Sequence, residues 1–397
     1  MPDPTNRHTG HSSTEGFESL SVTRRPITAS NHQIPERHVG GRVVSHLPCG
    51  ETVEFTKVRE GLIVEFTTNS EGLDKGPSEG LVFAGGDKEL MCCVDSSLLP
   101  SIAHITLLPG VLTCPAMDRE GNERVIDDPV LFLAGQGSRA PFHWPHDALT
   151  RLLAFEHSGE SAQILVPSHL ARSQFIQESL QLLGIPEDRI AYLNPNERIR
   201  AREVWLAEDL APHEQKLNAL LGMLRSRMLE AVECDPTRSL SRDEGRNIYI
   251  SRQGAPAKRG VQNAEEFLAL AQKFGFEEHR METVSLRDQI RLAAETTRVL
   301  APHGAGLFNT LYMSGGEVVE LFPVDARGKE TNTPCWQRLL DVHASHGRTV
   351  SWRAIESEII RSSEKDLDFF SIVADLSKTE SELRAPHAPP YNTWNRI

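Results

Sequence analysis

The feature that most constrains this fold is a regular alternation of helix and strand patterns that begins near residue 143. "HDALTRLLAFEH" has helical spacing, and "AQILVP" is typical of a buried strand. "RSQFIQESLQLLGI" predicts a helix that ends near Gly184, and "RIAYL" predicts another strand. Because strands that alternate with helices form a parallel sheet covered on both faces, we expect an α/β fold here.

A second alternating block begins at "NIYISR", residues 247–252, after a long helix predicted from Glu214 to Leu229. Asn263 with Glu266 predicts a capping box for the next helix, and Ser285 is expected to cap the helix after that. "RVLAPHGAG" and "EVVELFP" predict two further strands around a short helix. The block therefore predicts a second doubly wound domain, whose ligand should lie at the C-terminal ends of its strands.

The N-terminal part has a different pattern. Residues 1–38 are rich in Thr, Ser, Pro, His and Asn and predict a disordered leader. Short apolar runs between Gly-rich breaks, such as "GLIVEFTT" and "HITLLPGVL", predict a β-rich region up to about Leu133. With Pro236 as a boundary, we predict four parts of the chain: 1–38, 39–235, 236–340, and a segment 341–397 that packs back on the domains.

Composition excludes several functional classes. No apolar run in the 397 residues approaches the roughly 20 that a membrane span needs, and no signal peptide is evident, so a cytoplasmic protein is expected. The six cysteines lack the spacing of a zinc site or a disulfide framework. A net charge of −13 argues against nucleic acid as a partner. The six basic residues between Arg238 and Arg259, against two acidic ones, instead favour a small anionic ligand.

The stretch "VLAPHGAGLFNTLYMSGGEVVELFP", residues 299–323, indicates where that anion binds. Its first apolar run forms the end of a predicted strand. The turn that follows this strand consists of His303, Gly304, Ala305 and Gly306. Glycine allows close backbone approach, and free N–H groups at a helix start favour an anion. We expect a phosphate at this turn, with His303 donating a hydrogen bond to it or to a sugar. The alternative is a capping or packing histidine.

Other charged residues fall near the same predicted edge. Arg252 ends the strand "IYISR", and its planar guanidinium suits a diphosphate. Lys258 and Arg259 follow in a loop, where they either contact the ligand or are simply solvated. Glu320 ends "GEVVEL", where its carboxylate could bind ribose hydroxyls or form a salt bridge with a neighbouring helix.

The segment "PFHWPHDALTRLL" places His143, His146 and Asp147 within five residues at a predicted helix start. Three interpretations stay open. A metal site would need further ligands that are not visible in the sequence. Asp147 could be a general base oriented by a histidine, taking a proton from a hydroxyl nucleophile. Alternatively, Asp147 only caps the helix.

Taken together, these segments resemble glycosyltransferase family 61. The similarity lies in "NIYISRQGAPAKRGVQNAEEF", "FGFEEHRMETVSLRDQI" and the HGAG-x-x-N core, and upstream in "FHWPHDALTRLL" and "ILVPSHLARSQFIQESLQLLGI". It covers roughly residues 130 to 325, with weaker similarity through "DFFSIVADL". The family includes bacterial capsular-polysaccharide enzymes and also plant and animal enzymes, which carry a membrane anchor. Because no apolar run here is long enough for such an anchor, the resemblance is expected to be to a bacterial-type enzyme.

The resemblance implies a GT-B architecture, with two Rossmann-like domains facing a cleft and the β-rich part ahead of them. Residues 39–235 would bind the acceptor and residues 236–340 the nucleotide sugar. The implied reaction is inverting transfer without a metal or other cofactor, from a nucleotide-sugar donor, UDP-linked, to a glycan or lipid-linked acceptor. Any contact with a membrane would be peripheral.

The resemblance also assigns roles position by position. Five residues would contact the nucleotide diphosphate: Arg252, His303, Gly304, Gly306 and Asn309. Glu320 would bind the ribose, and Gln289 would lie near the donor. Asp147 would be the base, with His143 supporting it. The Asn often found just upstream in the family is absent from "SRAPFHW", which leaves the base assignment open. Rival hypotheses are a polysaccharide ketal pyruvyltransferase and a catalytically silent glycan- or nucleotide-binding protein.

Overall fold

A computed structural model gives the fold of most of the chain. Twelve stretches are described: 39–65, 80–84, 89–93, 123–133, 141–194, 197–208, 210, 213–253, 260–324, 336–361, 370–385 and 394–396. The predicted leader 1–38, the segment "HITLLPGVL", Lys258 and Arg259 lie outside them. The described part is mixed α/β with two sheets, as the alternating patterns predicted.

The first sheet has nine strands, in the order β4-β3-β2-β9-β6-β7-β8, with β1 paired to β2 and β5 to β9. The strands are β1 Val39–His46, β2 Thr52–Glu65, β3 Gly80–Ala84, β4 Glu89–Cys93, β5 Glu123–Ile126, β6 Val130–Phe132, β7 Gln163–Pro167, β8 Ile190–Leu193 and β9 Arg198–Ala207. The pairs β6-β7, β7-β8 and β6-β9 are parallel, whereas β1 to β4 form antiparallel pairs. The antiparallel pair β2-β9 joins the two regions into one sheet.

Helices connect the parallel strands of this first sheet. A π-helical turn, Trp144–Leu149, leads into α1, Thr150–His157. Two helices, α2 Ser168–Ala171 and α3 Gln174–Leu182, lie between β7 and β8. Gly184 follows α3 with φ of +75°, a conformation that glycine adopts at little cost, so the predicted helix end is confirmed.

The second sheet has seven strands, in the order β11-β10-β12-β13-β14-β15, with β16 paired to β14. They are β10 Arg246–Ile250, β11 Glu277–His279, β12 Thr296–Pro302, β13 Gly316–Val324, β14 Val350–Arg361, β15 Phe370–Val373 and β16 Trp394–Arg396. All pairs are parallel except β14-β15. Every residue of β12 is buried, as expected for a central strand covered on both faces.

The helices around the second sheet include α4 Glu214–Ala231, α5 Ala264–Lys273, α6 Leu286–Ala294, α7 Gln337–Ser345 and α8 Leu376–Arg384. Two short 3-10 helices, Met281–Thr283 and Ala305–Tyr312, lie among them. Ser285 caps α6 by accepting from the Asp288 amide, as predicted. The predicted capping box of α5 is wrong, because the Asn263 side chain instead bonds the backbone of Ala374.

The two sheets belong to one packed body. Helix α4 contacts α1 on the first side and α6, α7 and the 3-10 helix Ala305–Tyr312 on the second. Its buried stripe, which includes Leu217, Leu221 and Leu224, belongs to a core shared with residues of both sheets. Among the described helices, none combines the length and the apolar character that crossing a membrane requires.

Candidate active site

Two neighbouring strands of the second sheet end side by side and bring Arg252 to the glycine turn. Strand β10 pairs in parallel with β12, so the residues after Ile250 and after Pro302 lie at the same edge. A Cβ built at Gly304 would fall directly on Nη1 of Arg252. The absence of a side chain at Gly304 is therefore what lets the guanidinium lie against the turn.

The 3-10 helix Ala305–Tyr312 begins at this turn, with its first N–H groups at the strand edge. Gly306 packs closely as well, since a Cβ there would lie 3.2 Å from Cγ2 of Ile250. A helix start beside a guanidinium is suited to an anion, because N–H dipoles and a fixed positive charge act on the same point. Arg252, Gly304, Ala305 and Gly306 are thus brought together.

His303 is buried at the same edge and is held by Glu320. Its Nδ1 lies 2.6 Å from Oε1 of Glu320, and its ring packs edge-on against Phe322. Because a carboxylate only accepts, Nδ1 carries the proton of this bond. Nε2 of His303 has no partner among the described residues, so it is the nitrogen that a ligand would meet.

Glu320 is fully buried and accepts hydrogen bonds from two tryptophans. Trp336 Nε1 donates to its Oε1 at 2.9 Å, and Trp352 Nε1 donates to its Oε2 at 2.8 Å. The Trp336 and Trp352 rings stack with centroids 5.8 Å apart. Since Glu320 is 0% exposed, the geometry corrects the predicted ribose contact. The carboxylate instead fixes the orientation of His303.

Asn309 and Gln289 form a linked pair of amides. Asn309 Nδ2 donates to Oε1 of Gln289 at 2.9 Å. Gln289 Nε2 donates to the carbonyls of Met281 and Val284, both at 2.9 Å. The carboxamide of Gln289 is therefore engaged at both ends, so it positions Asn309 rather than reaching toward a donor.

The basic residues of segment 238–259 separate in space. Arg252 reaches the glycine turn, but Arg246 begins β10 at the opposite edge of the sheet, where it pairs with Glu277. Arg238 lines a different cavity. The cluster that the sequence suggested is thus divided between the two edges of the sheet, and Lys258 and Arg259 are outside the described residues.

The second group of candidate residues lies in the π-helical turn before α1. Asp147 accepts two hydrogen bonds, from His143 Nδ1 at 2.9 Å and from His146 Nδ1 at 2.6 Å. The His143 side chain is 47% exposed, whereas that of His146 is only 7% exposed. The structure thus brings all three residues of the HxxHD segment together, with His143 facing solvent. Such π-helical insertions are often found at functional sites.

The ionisation of Asp147 is set by these partners. Burial of the carboxyl group opposes ionisation, but the hydrogen bonds from His143 and His146 outweigh it and hold the pKa well below its usual range. A carboxylate with so low a pKa is a weak proton acceptor near neutral pH. As a fixed acceptor for both rings, Asp147 is better placed to orient the histidines.

His146 is oriented from its other side by Arg338. Arg338 Nη1 lies 3.3 Å from Nε2 of His146, and an arginine can only donate. His146 therefore carries its proton on Nδ1, toward Asp147, and accepts on Nε2. Because Arg338 belongs to α7, this contact links the segment before α1 to the second half of the molecule.

Phe142 joins the two groups of candidate residues. Its ring stacks on His146 with centroids 4.9 Å apart, and it meets Phe308 and Trp336 edge-on at 5.7 and 5.3 Å. Trp336 in turn binds Glu320, the partner of His303. A continuous packed path therefore runs from the HxxHD segment to the glycine turn.

The sequence analysis missed four residues of this arrangement, namely Phe142, Trp336, Arg338 and Trp352. Trp336, Arg338 and Trp352 are distant in the chain from what they contact, and so is Phe142 from Phe308 and Trp336, so no local pattern could reveal these contacts. The tryptophans carried the best signal, since a buried indole N–H usually has an acceptor. Within the described parts of the chain, no group of three or more His, Cys, Asp or Glu side chains is arranged to hold a metal ion.

Comparison with known proteins gives a match at the level of a family. Residues 142–319 match the family model of glycosyltransferase 61. The matched segment begins at Phe142 and contains the HxxHD segment, Arg252 and the HGAG turn. This match supports a glycosyltransferase role, and such an enzyme has a donor and an acceptor substrate. A search among curated proteins found no match.

Proposed function

We propose that this chain is an inverting, metal-independent glycosyltransferase with a GT-B arrangement of its two halves. The donor is a nucleotide sugar, UDP-linked, and the acceptor is a hydroxyl of a glycan or a lipid-linked sugar in bacterial capsular-type polysaccharide synthesis. The observation that carries the proposal is the packed path through Phe142 and Trp336, which joins a histidine–carboxylate pair to an anion-binding turn.

Donor binding is assigned to the edge of the second sheet. The diphosphate would lie at the start of the 3-10 helix Ala305–Tyr312, against the guanidinium of Arg252 and Nε2 of His303. These groups offer fixed positive charge and N–H donors where the leaving diphosphate gains negative charge in the transition state. Asn309, held by Gln289, would complete this donor side.

Proton transfer is assigned to His143, which exchanges its predicted role with Asp147. The acceptor oxygen forms a bond to the anomeric carbon, the bond from that carbon to the diphosphate breaks, and the hydroxyl proton passes to His143. Asp147 supports the resulting positive charge through its hydrogen bond to Nδ1, as the carboxylate of a serine-protease triad does. Attack opposite to the leaving group inverts the anomeric centre.

A cytoplasmic location is part of the same proposal, with at most peripheral contact with the membrane. Cys49 and Cys234 are free thiols, which fits a reducing compartment. A capsular-type acceptor chain carried on a lipid would be presented at that membrane face.

A transfer assay tests the proposal. The protein would be incubated with UDP-, GDP- and CDP-linked sugars, separately, and with a panel of glycan and lipid-linked acceptors, with and without chelator. We expect release of one nucleoside diphosphate, matched by a new product of inverted anomeric configuration in the NMR spectrum, unaffected by chelator. Transfer from phosphoenolpyruvate alone would indicate a pyruvyltransferase, and nucleotide binding without turnover would indicate a silent binding protein.

A further inference from the structure

A second cavity lies at the opposite edge of the second sheet from the candidate active site. It has a volume of about 430 Å³ and is bordered by α4, by α6 and by the end of the 3-10 helix Ala305–Tyr312. Its wall includes Glu295, just before β12, and Ser314, just before β13. His303 follows β12, so the length of that strand, roughly 20 Å, separates the two sites.

The cavity wall contains a buried arginine that no carboxylate accompanies. Arg225 of α4 is 2% exposed. Its Nη1 donates to the carbonyl of Pro236 at 2.9 Å and its Nη2 to that of Met313 at 3.1 Å, whereas no described residue bonds its Nε. Among the described residues, no acidic side chain forms an ion pair with it. A buried cation that lacks a counter-charge is costly unless an anion from outside supplies one.

Other groups around Arg225 add to the positive character of the site. Burial, and then the nearby Arg348 guanidinium, lower the pKa of Arg225 to about 10. Arg348 also donates to the carbonyl of Pro236. Ser314, 5% exposed, lines the cavity, and its Oγ has no hydrogen-bond partner within the described parts of the chain. It can donate to an oxyanion beside Arg225.

The rim of the cavity is mixed in charge, unlike its floor. Arg238 and Arg291 lie there, together with Glu233, Asp235 and Glu295. The acidic side chains are exposed, at 86% for Glu233 and 55% for Glu295, so water screens them strongly. An anion that enters between the two rim arginines would meet its strongest attraction at the buried Arg225.

We propose that this cavity is a second ligand site, which binds a small molecule through a phosphate monoester group. A volume of about 430 Å³ matches a metabolite-sized ligand rather than a bare ion. The phosphate would bind Arg225 and Ser314, with Arg238 and Arg291 closing the entrance. The proposal does not depend on the chemistry assigned to the other edge of the sheet.

Calorimetric titration of the full-length protein with glucose 1-phosphate, inorganic phosphate and citrate tests this site. We expect glucose 1-phosphate to bind with a stoichiometry of one and more tightly than inorganic phosphate, and citrate to bind weakly. Arg225→Met should weaken binding by tenfold or more. Because that change affects a buried residue and could prevent folding, Arg238→Glu at the exposed rim provides a second variant with the same expectation.

Two controls separate this site from other sources of binding. Arg227→Glu makes the same charge change as Arg238→Glu and lies on α4, the helix that contains Arg225. Its position is exposed and does not line the cavity, so it should leave the affinity unchanged. Arg252→Ala, at the candidate donor site, should also leave it unchanged. The proposal is overturned if none of the three anions binds, if folded Arg225→Met and Arg238→Glu retain wild-type affinity, or if either control weakens binding as much as they do.

Discussion

Asp147 and His143 lie four residues apart, and their hydrogen bond decides which of them can accept a proton. The sequence could place both at a helix start but could not show which of them is the better proton acceptor. The structure favours His143 for two reasons. His146 is a second donor to the Asp147 carboxylate, and the His143 side chain is exposed. Two donors on one carboxylate keep it ionised and leave the exposed imidazole as the better base.

Substitution of His143 should therefore remove turnover without removing donor binding. We expect His143→Ala to lower kcat by about 10²- to 10⁴-fold, the range typical of a lost general base, with the donor affinity unchanged. His157→Ala, at an exposed histidine in the last turn of α1, is the matched control and should retain activity. If His143→Ala kept its turnover while Asp147→Asn lost it, Asp147 would be the base after all.

Adding a single methyl group at Gly304 tests the proposed donor site. Gly304→Ala would place a Cβ on the Arg252 guanidinium, which can move away because it ends a flexible side chain. The fold should be kept, while nucleoside diphosphate affinity falls about 10- to 100-fold, the effect of one or two lost charge-assisted hydrogen bonds. Gly41→Ala, where a Cβ meets nothing within 4 Å, is the control. Equal affinities for both variants would contradict the placement of Arg252.

Glu320 illustrates the limit of prediction for single residues. The strand "GEVVEL" was recognised correctly, and the carboxylate lies in it. From the sequence alone, a carboxylate near the ligand-binding end of a strand could equally contact a ribose or form a structural contact. Its actual partners, Trp336 and Trp352, come from α7 and β14, which no pattern near Glu320 indicates.

At the scale of elements, most local signals were confirmed, although the capping box predicted for α5 was wrong. The Ser285 cap and the glycine after α3 depend on a few consecutive residues, and both were predicted. Strand β9 was missed, although it lies in the middle of the first sheet. The first half of its sequence, "RIRAR", has the alternation of a half-buried strand, but its high charge content concealed a strand whose buried residues include Ile199, Val204 and Trp205.

The docking of α7 contains a buried histidine with consequences for stability. His343 donates from Nε2 to the carbonyl of Thr310 in the 3-10 helix at 2.9 Å. Burial first, and then the nearby Arg225 and Arg348, lower the pKa of His343 from 6.5 to about 3. Between these values the unfolded chain binds a proton that the folded chain does not, so the free energy of unfolding falls as the pH falls.

Urea unfolding at pH 7, 6 and 5 measures this effect. One such histidine contributes a slope of about 1.4 kcal/mol per pH unit below its unfolded pKa. His343→Gln retains an Nε2 donor but cannot be protonated, so its pH dependence should be shallower by that amount. His157→Gln at an exposed site should leave the slope as it is in the wild-type protein. An unchanged slope in His343→Gln would show that His343 does not remain neutral in the fold.

At the scale of the whole molecule, periodicity predicted the α/β class and two alternating blocks. It could not predict that the two blocks share one core around α4, because that depends on packing between residues far apart in the chain. Nor could it predict that the basic residues of segment 238–259 divide between the two edges of a sheet, since strand β10 lies between Arg246 and Arg252.

The two halves of the molecule meet at Phe142, and a transfer reaction requires such a meeting of donor and acceptor sides. A donor bound at the edge of the second sheet would face the histidines that precede α1. The second half alone offers only an anion-binding turn, and the first half alone offers only two histidines that are hydrogen-bonded to Asp147. In the proposed mechanism they would together place the proton acceptor and the leaving group on one packed path.

The most direct test of this account is nucleoside diphosphate binding, measured by calorimetry with UDP, GDP and CDP in the presence of chelator. We expect one of the three, UDP, to bind the wild-type protein with a stoichiometry of one and to bind Arg252→Ala at least tenfold more weakly. Arg227→Ala, at an exposed arginine of α4 that lies outside the donor site, serves as the control and should bind like the wild type. Absence of binding by all three nucleotides, or equal binding by wild type and Arg252→Ala, would contradict the donor site.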